Sequence, residues 1–358
     1  MKFLTEYRNP DLVKFYLSEI EKTVTKPWNI MEICGGQTHS LVKNGLLDLL
    51  PDNVRMIHGP GCPVCVTPIS LIDKAVVLME KGVILCSFGD MVRVPGSKKS
   101  LLQAKADGGD LRILYSPLEA VQIAEKNPEK EVVFFAVGFE TTAPSNALSV
   151  VHAQKLGLNN FSLLVSHVLV PPAMEAILDD KFCKINAFLG AGHVNTIMGL
   201  KEYHPIAKKY KIPIVVSGFE PADLLQAIYH AVLQLEKGEY KVENCYERLV
   251  KEEGNVPAQN VVNEIFEIGE QEWRGIGKIP ESGLVMKEKY ADFDASRKFD
   301  ISNSVNKQEN LCIAGEILKG IKKPVECPQF GKTCNPGNPL GAPMVSSEGA
   351  CAAYYHYS

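Results

Sequence analysis

The sequence predicts an α/β protein made of two halves of consecutive βα units, followed by a mainly helical region. Three observations support this fold class. From about residue 28 to residue 236, short runs rich in Val, Ile, Leu and Phe alternate with helical patterns. These runs are almost continuously apolar, as is typical of parallel strands that helices cover on both faces. Beyond residue 236 the alternation stops, and charged, helix-compatible sequence follows.

Each predicted strand is a short apolar run bounded by polar or glycine-rich sequence. In chain order the runs are WNIMEI, VRMI, GVILC, LRILY, EVVFFAV, FSLLV, NAFLG and IPIVVS. The polar break EKNPEK separates two Rossmann-like parallel halves that face a cleft, which we expect to be domains 26–127 and 128–236. Residues 237–358 form the third, mainly helical domain, and residues 1–25 pack either on that domain or on the α/β part.

The charge of the chain argues against large anionic partners. With 38 Lys and Arg against 42 Asp and Glu, the 358 residues carry a formal net charge of -4. No broad basic surface is therefore expected for nucleic acid or an anionic membrane. The N-terminus lacks the apolar core of a signal peptide, and no stretch is long enough to span a bilayer. We expect a cytoplasmic protein that binds neither nucleic acid nor membrane.

Most of the predicted strands end in polar, glycine-rich loops. These loops are CGGQTH, HGPGCPVC, SFGDM, GFETTAP, SHVLVPPA, GAGHVNT and GFEPAD. Ligands of open α/β sheets bind at the carboxyl ends of the strands, so we expect several of these loops to meet in one cleft. None of them has the spacing of a dinucleotide fingerprint or a P-loop, so no nucleotide cofactor is indicated.

The ten cysteines are not expected to form a disulfide framework, because we expect the protein to be in a reducing compartment. Clustered cysteines in such a protein favour metal binding or thiol chemistry. The C-terminal quartet, with 14, 6 and 16 residues between neighbours, consists of Cys312, Cys327, Cys334 and Cys351. Four thiolates are compatible with an iron–sulfur cluster or a structural zinc ion, and the loose spacing favours the cluster slightly. The scattered Cys86, Cys183 and Cys245 are assigned to packing.

Two further cysteine motifs follow the first two predicted strands. Cys62 and Cys65 form a Cys-x-x-Cys pair, which suits a dithiol–disulfide switch, half of a zinc knuckle, or simple burial. Cys34 lies at a strand end, before two glycines and a helix whose N-terminus would favour a thiolate. That position suits a nucleophile, a metal ligand or a core residue, and the nearby His39 adds a polar group.

Three more polar side chains at predicted strand ends complete the set of candidate site residues. They are Glu140 in GFETT, His193 in GAGHVNT and Glu220 in GFEP. Each of them can form hydrogen bonds, transfer a proton or support a neighbouring ligand.

Taken together, five features resemble the HypD family, whose members take part in the maturation of nickel–iron hydrogenases. The features are CGGQTH, GPGCPVC, GFETTAP, GAGHV and the four-cysteine tail that ends in GACAAYY. They occur in the family's order, without a missing cysteine, and the resemblance runs essentially from end to end.

The resemblance implies an assembly scaffold with redox and ligand-transfer chemistry rather than a conventional turnover enzyme. In a stable complex with the small protein HypC, it would hold a transient iron ion while two cyanides and one carbon monoxide are attached. HypE would be the transient cyanide donor. The resemblance also implies that the C-terminal quartet binds a 4Fe-4S cluster, that Cys62 and Cys65 are a redox pair, and that Cys34 binds the iron.

Two other functions are compatible with the cysteines alone. A stand-alone iron–sulfur thiol–disulfide reductase would pass electrons through Cys62 and Cys65 to a disulfide of a client protein. A structural zinc protein would use only the C-terminal quartet, on an α/β body that binds a small molecule.

Overall fold

The computed structural model describes residues 6–301 and 311–357. Its strands are β1 (Trp28–Glu32), β2 (Val54–His58), β3 (Ile84–Ser87), β4 (Leu111–Ile113), β5 (Val132–Gly138), β6 (Phe161–His167), β7 (Ala187–Ala191), β8 (Ile214–Ser217), β9 (Val242–Asn244), β10 (Phe266–Trp273) and β11 (Gly277–Met286).

Helices surround these strands. They are α1 (Pro10–Thr23), α2 (Gly35–Lys43), α3 (Leu46–Leu49), α4 (Pro63–Val66), α5 (Ile69–Glu80), α6 (Leu101–Ala106), α7 (Pro117–Lys126), α8 (Ala143–Lys155), α9 (Val170–Leu178), α10 (Gly192–Met198), α11 (Tyr203–Tyr210), α12 (Pro221–Lys237), α13 (Val256–Ile265), α14 (Ala295–Lys298), α15 (Ala314–Leu318) and α16 (Ala350–Tyr357). Short 3-10 helices cover Glu6–Arg8, Gly89–Met91, Glu288–Phe293, Pro324–Glu326 and Ala342–Met344. Within the described ranges, no helix combines the length and apolarity that crossing a membrane requires.

Two parallel sheets form the centre of the protein. The first sheet has five strands in the order β2-β1-β7-β8-β9, and the second has four in the order β4-β3-β5-β6. All pairings within both sheets are parallel. These sheets of βα units confirm the predicted α/β fold class, and each of the eight predicted strands forms.

The strands of the second sheet are apolar because helices cover both of its faces. β5 is buried along its whole length and pairs with β6 from Val132 to Gly138. Its side chains alternate between two cores: Phe134 packs with residues of α7 and α8, whereas Phe135 packs with residues of α5 and α6. Because both faces are covered, both sets of side chains have to be apolar.

The division of the chain between the sheets differs from the two consecutive halves expected at 26–127 and 128–236. β1 and β2 begin the first sheet, β3 to β6 then build the whole second sheet, and β7 to β9 return to complete the first. An apolar run indicates that a strand is buried, but it does not identify the neighbouring strands. The expected domain borders, between residues 127 and 128 and after residue 236, stay a prediction.

The described part of the N-terminal segment packs on the first sheet, not on the C-terminal region. Ile20 of α1 is fully buried in a core that it shares with α12 and with strands of the first sheet. Glu236 in α12 accepts hydrogen bonds from Thr25 Oγ1 at 2.6 Å and from Trp28 Nε1 at 2.7 Å. The expectation for residues 1–5 lies outside the described residues.

The C-terminal region contains an antiparallel hairpin, β10 and β11, that the apolar runs do not predict. Most residues of β10 between its two ends are charged or polar and at least partly exposed. The hairpin docks on the second sheet through Ser282, whose carbonyl accepts a hydrogen bond from the Leu169 amide at 2.8 Å. Beyond residue 311 the chain forms only short helices, and the last of them, α16, packs against α2.

Candidate functional site

The loops after β1 and β2 lie directly on each other. The Gly35 amide donates to the Gly61 carbonyl at 2.9 Å, and the Gly59 amide donates to the Glu32 carbonyl at 2.9 Å. A Cβ atom at Gly61 would lie only 2.1 Å from the Cys34 nitrogen. Glycine is therefore required at this crossing, and it brings the Cys-x-x-Cys loop onto the Cys34 loop.

Cys34 is the N-cap residue of α2, and its thiol is buried at the edge of the first sheet. Its Sγ lies 3.4 Å from His193 Nδ1, at the start of α10. Burial raises the pKa of the Cys34 thiol well above its usual value, and the Glu348 carboxylate acts in the same direction. The helix N-terminus therefore does not produce a thiolate by itself, but a bound metal cation would, since metal binding displaces the thiol proton.

His193 provides a neutral ring beside that thiol. Burial lowers the pKa of His193 to about 4, because the protein interior disfavours its charged form. A neutral imidazole retains one nitrogen lone pair, which can accept a proton or bind a metal ion. Cys34 and His193 together are thus a sulfur and a nitrogen donor that face each other.

A buried hydrogen-bond network supports the Cys34 loop from behind. The Glu32 carboxylate accepts hydrogen bonds from the Cys34 amide at 2.9 Å and from the Thr38 hydroxyl. It also contacts His58 Nδ1 at 2.7 Å, and His58 Nε2 lies 3.1 Å from the hydroxyl of Tyr354 in α16. Glu32, His58 and Tyr354 were not predicted as site residues. The only sign of them in the sequence was a charged residue, Glu32, inside the apolar run WNIMEI.

The C-terminal segment covers the same loop from the other side. A Cβ atom at Gly35 would lie 2.5 Å from the Cβ of Glu348, and His39 Nδ1 lies 3.1 Å from the Ser347 carbonyl oxygen. His39 therefore anchors α2 to the segment that precedes Cys351, instead of pointing at the Cys34 sulfur.

Cys62 and Cys65 lie at the first turn of α4 and are both buried. Their sulfur atoms are at bonding distance, 2.13 Å. They pack in one core with Ala342 and Val345 of the C-terminal segment. The pair is thus enclosed between the second sheet and the segment that carries the quartet.

The C-terminal quartet lines one pocket. Its four thiols are Cys312, Cys327, Cys334 and Cys351. A Cβ atom at Gly341 would lie 2.2 Å from Cys312 Sγ, and the Leu340 amide donates to Cys334 Sγ at 3.4 Å. Burial raises the pKa of Cys351, and the charges of the other three cysteines raise it further. Four thiols in electrostatic contact favour a ligand that carries positive metal ions.

In residues 6–301 and 311–357, no three His, Cys, Asp or Glu side chains are grouped closely enough to hold a metal ion. At the quartet, the structure therefore shows four thiols that line one pocket, a donor set that both iron–sulfur clusters and zinc ions use.

The 3-10 helix Ala342–Met344 connects the two thiol centres. Its first residue packs in the core that contains Cys62 and Cys65, and its other two residues line the quartet pocket. One short turn of chain thus separates the pocket from the Cys62–Cys65 pair.

The remaining candidates take different positions. Glu140 is buried, and its Oε1 accepts a hydrogen bond from the Val170 amide at 2.9 Å. Burial raises the pKa of Glu140 to about 8. Glu220, in contrast, forms an ion pair with Arg8, whose Nη2 donates to Oε1 at 2.9 Å. The structure thus brings Cys34, His193 and the Cys62–Cys65 loop together, while Glu220 forms an ion pair with the N-terminal segment.

Sequence similarity to known proteins covers the whole chain. The profile of the HypD family, described as "Hydrogenase formation hypA family", matches residues 11–358. Over 367 aligned residues the chain is 47% identical to the hydrogenase maturation factor HypD of Azotobacter vinelandii, covering 100% of this chain and 97% of that protein. It is 46% identical over 370 residues to HypD of Rhodobacter capsulatus and 44% identical over 366 residues to HypD of Escherichia coli (strain K12), covering 100% of this chain and 98% of each relative. The chain therefore belongs to the HypD family of hydrogenase maturation factors.

Proposed function

We propose that this protein is the scaffold on which iron receives two cyanides and one carbon monoxide during nickel–iron hydrogenase maturation. It acts in a stable complex with HypC and accepts cyanide from HypE. The observation that carries the proposal is the contact between the three thiol centres. The Cys34 loop crosses the Cys62–Cys65 loop at Gly61, and the helix Ala342–Met344 connects that loop to the quartet pocket.

In this proposal the quartet is the binding site of a 4Fe-4S cluster. The donor set supports it, because four thiols line one pocket, Cys334 and Cys351 among them are buried, and an amide donates to the sulfur of Cys334. Amide hydrogen bonds to cluster sulfurs are one of the means by which proteins set cluster potentials. When bound, the cluster supplies electrons one at a time.

Cys34 and His193 are the proposed iron-binding groups, together with a cysteine of HypC. Soft thiolate donors suit iron that carries strong-field diatomic ligands. Because the Cys34 thiol is only 1% exposed, water has little access to the iron once it is bound. The single lone pair of the neutral His193 ring, whose Nδ1 lies 3.4 Å from the sulfur, is then used for the iron, so the thiol proton leaves to bulk solvent as the iron binds.

Cys62 and Cys65 are the proposed two-electron store. Reduction of the disulfide breaks one S–S bond and takes up two electrons and two protons to give two thiols. A one-electron donor of the ferredoxin class therefore has to deliver electrons twice through the quartet. Release of cyanide from a carrier also takes two electrons, the number that the two thiols return when the disulfide closes again.

Infrared spectroscopy of the protein copurified anaerobically with HypC tests the proposal. We expect bands in the window where iron-bound cyanide and carbon monoxide absorb and protein does not. The Cys34→Ala variant should lose these bands and hydrogenase maturation, while it keeps its fold and the iron and sulfide of the quartet cluster. Cys86→Ala is the matched control, since Cys86 is fully buried in β3. Unchanged bands in Cys34→Ala would refute the assignment.

Metal analysis separates the two alternative functions from the proposal. A protein with zinc and neither iron nor sulfide would support the structural zinc site. Iron and sulfide without the infrared bands, together with reduction of a client disulfide, would support the stand-alone reductase.

A further inference from the structure

The Cys34 thiol is closed off from solvent, although the proposed function requires it to be reached from outside. The residue is only 1% exposed. A cysteine of a second protein can share an iron ion with Cys34 only if the two sulfurs come close together, because bonds between metals and thiolates are short, about 2.3 Å for zinc. Part of the wall around Cys34 therefore has to be movable.

Two sides of the Cys34 loop are closed by main chain. The Gly35 amide donates to the carbonyl of Gly61, in the loop after β2, at 2.9 Å. Towards the C-terminal segment, a Cβ atom at Gly35 would lie 2.6 Å from the Glu348 carbonyl oxygen. These two sides could open only if whole segments of the chain separated, so they form the fixed part of the wall.

A third side of the pocket is closed by a side chain, the ring of Phe219 after β8. A Cβ atom at Gly36 would lie 3.3 Å from two ring carbons of Phe219 and 3.6 Å from Cys34 Sγ. The ring centre of Phe219 is 5.3 Å from that of His193, whose Nδ1 lies 3.4 Å from the same sulfur. The Phe219 ring thus adjoins both proposed iron-binding groups, and because the residue is only partly buried, it also reaches the surface.

The backbone of Phe219 is fixed by hydrogen bonds, whereas its ring is held by packing. The Ser40 hydroxyl donates to the Phe219 carbonyl at 2.6 Å. The amide of the following residue donates to Asp223 Oδ2 at 3.3 Å. The ring contacts aromatic neighbours, among them Tyr246, which is perpendicular to it at a distance of 6.2 Å between ring centres. Rotation of the side chain would therefore uncover the pocket without breaking either hydrogen bond.

We propose that Phe219 is the gate of the Cys34–His193 pocket: its ring closes the pocket in this structure, and rotation of the ring admits iron and the thiol of the second protein. The inference rests on the proposed function for the identity of what enters, whereas the closure of Cys34 by Phe219 does not depend on it. The gate also limits the size of the group that reaches the thiol, because a large group needs a wider rotation of the ring than a small one.

Alkylation of Cys34 in the full chain, under anaerobic and native conditions, tests the gate. Iodoacetamide is the small probe and fluorescein maleimide is the bulky one, and mass spectrometry of peptides gives the rate at each cysteine. In Phe219→Ala we expect the small probe to react about tenfold faster and the bulky probe about thirtyfold faster, because access no longer requires the ring to rotate. Phe219→Leu, which fills part of the space, should give intermediate rates.

Phe88→Ala is the matched control. Phe88 also follows a strand, β3, and is partly buried, but it packs in the core of the second sheet, perpendicular to Phe134 with 5.2 Å between ring centres. Both rates at Cys34 should stay within about twofold of those in the unmodified protein. The fully buried Cys86 reports unfolding of the chain, and it should react no faster in the two Phe219 variants.

Three results would overturn the inference. The first is an unchanged rate at Cys34 in Phe219→Ala. The second is an equal gain for both probes, since a change in the acidity of the thiol accelerates them alike. Should Cys86 show that Phe219→Ala is unfolded, Phe219→Leu decides, and an unchanged rate or an equal gain there is the third. The infrared bands of the pair copurified with HypC keep the proposed function separate: their absence refutes that function, whereas unchanged alkylation rates refute only the gate.

Discussion

Glu140 shows what burial does to a single titratable residue. Its Oε1 accepts one amide hydrogen bond, and no partner for Oε2 occurs within the described part of the chain. Burial raises its pKa from 4.5 to about 8, so the folded protein holds a proton at neutral pH that the unfolded chain releases. The free energy of unfolding should therefore be highest below pH 4.5 as far as this group is concerned, and should fall as the pH rises to about 8.

Glu140→Gln should remove this pH dependence, because the amide resembles the protonated acid and keeps the oxygen that accepts from Val170. At pH 7 the variant should be more stable by on the order of 3 kcal/mol. Urea denaturation between pH 5 and pH 8 measures the difference, with the exposed Glu129→Gln as control. A variant that is equally destabilised at every pH would show that Glu140 is ionised in the folded protein.

At the scale of residues, the sequence draws attention to the thiols but not to the groups that they contact. Cys34 and the quartet stand out because cysteine is reactive and because their motifs resemble those of one family. Glu32 and His58 do not stand out, since a charged or polar residue in an apolar run does not identify the group that it contacts. Burial also reverses the simplest electrostatic expectation, because it raises the pKa of Cys34 at a helix N-terminus.

The crossing of the loops after β1 and β2 is a contact between elements, and Gly61 controls it. Ala at this position would place its Cβ against backbone atoms of the Cys34 loop, the nearest at 2.1 Å. The Cys62–Cys65 loop would have to move away from the Cys34 loop. We expect this movement to lower the free energy of unfolding by about 1–3 kcal/mol. The buried Cys34 thiol should then react faster with an alkylating reagent.

Gly89→Ala is the matched control for this variant. Its Cβ would contact only the side chain of Ile113 at 3.6 Å, an ordinary van der Waals distance. Urea denaturation and the rate of Cys34 alkylation, read by mass spectrometry, compare the two variants. Equal alkylation rates in Gly61→Ala and Gly89→Ala would mean that the loops are not held together by this crossing.

The strands that could be predicted are those that the two sheets bury on both faces. Covering helices require an unbroken apolar run, and such a run is visible in the sequence. β10 and β11 have one exposed side. Their charged residues are like those of an exposed helix face, so the hairpin is not recognisable from the sequence. The short edge strand β9 was not predicted for a related reason, because its three residues are only partly buried.

For the molecule as a whole, the C-terminal segment depends on its thiols. Its own core consists of Ile317, Cys334, Met344, Ala350 and Cys351, a small set of which two members belong to the quartet. On the proposed function, Cys351→Ala should lose the proposed cluster and should loosen the segment, because small cores need a metal or another cross-link. The two parallel sheets, which have separate cores, should stay folded.

Limited proteolysis under anaerobic conditions measures this effect. We expect cleavage between residues 312 and 349 to become at least tenfold faster in Cys351→Ala, while residues 28–244 remain resistant. Cys183→Ala, outside the quartet, is the control and should cleave like the unmodified protein. Equal protection in both variants would show that packing contacts, and not the thiols of the quartet, hold the segment in place.

The arrangement of the sheets was the part of the whole molecule that the sequence did not predict. Apolar runs and glycine-rich loops predicted the βα units and the convergence of several strand ends. Which strands pair is decided by contacts between distant parts of the chain, such as that of β1 with β7, and no local pattern records such a contact.

The segment that forms the second sheet lies in the sequence between two groups of strands of the first sheet, and this order has a consequence for biosynthesis. During translation β1 and β2 leave the ribosome first. β1 cannot pair with β7 until all four strands of the second sheet have been synthesised. During that interval one edge of β1 has unpaired backbone groups, which can join with foreign strands. Nascent chains should be most dependent on chaperones at this stage, and the pocket around Cys34 cannot mature until His193 has been translated.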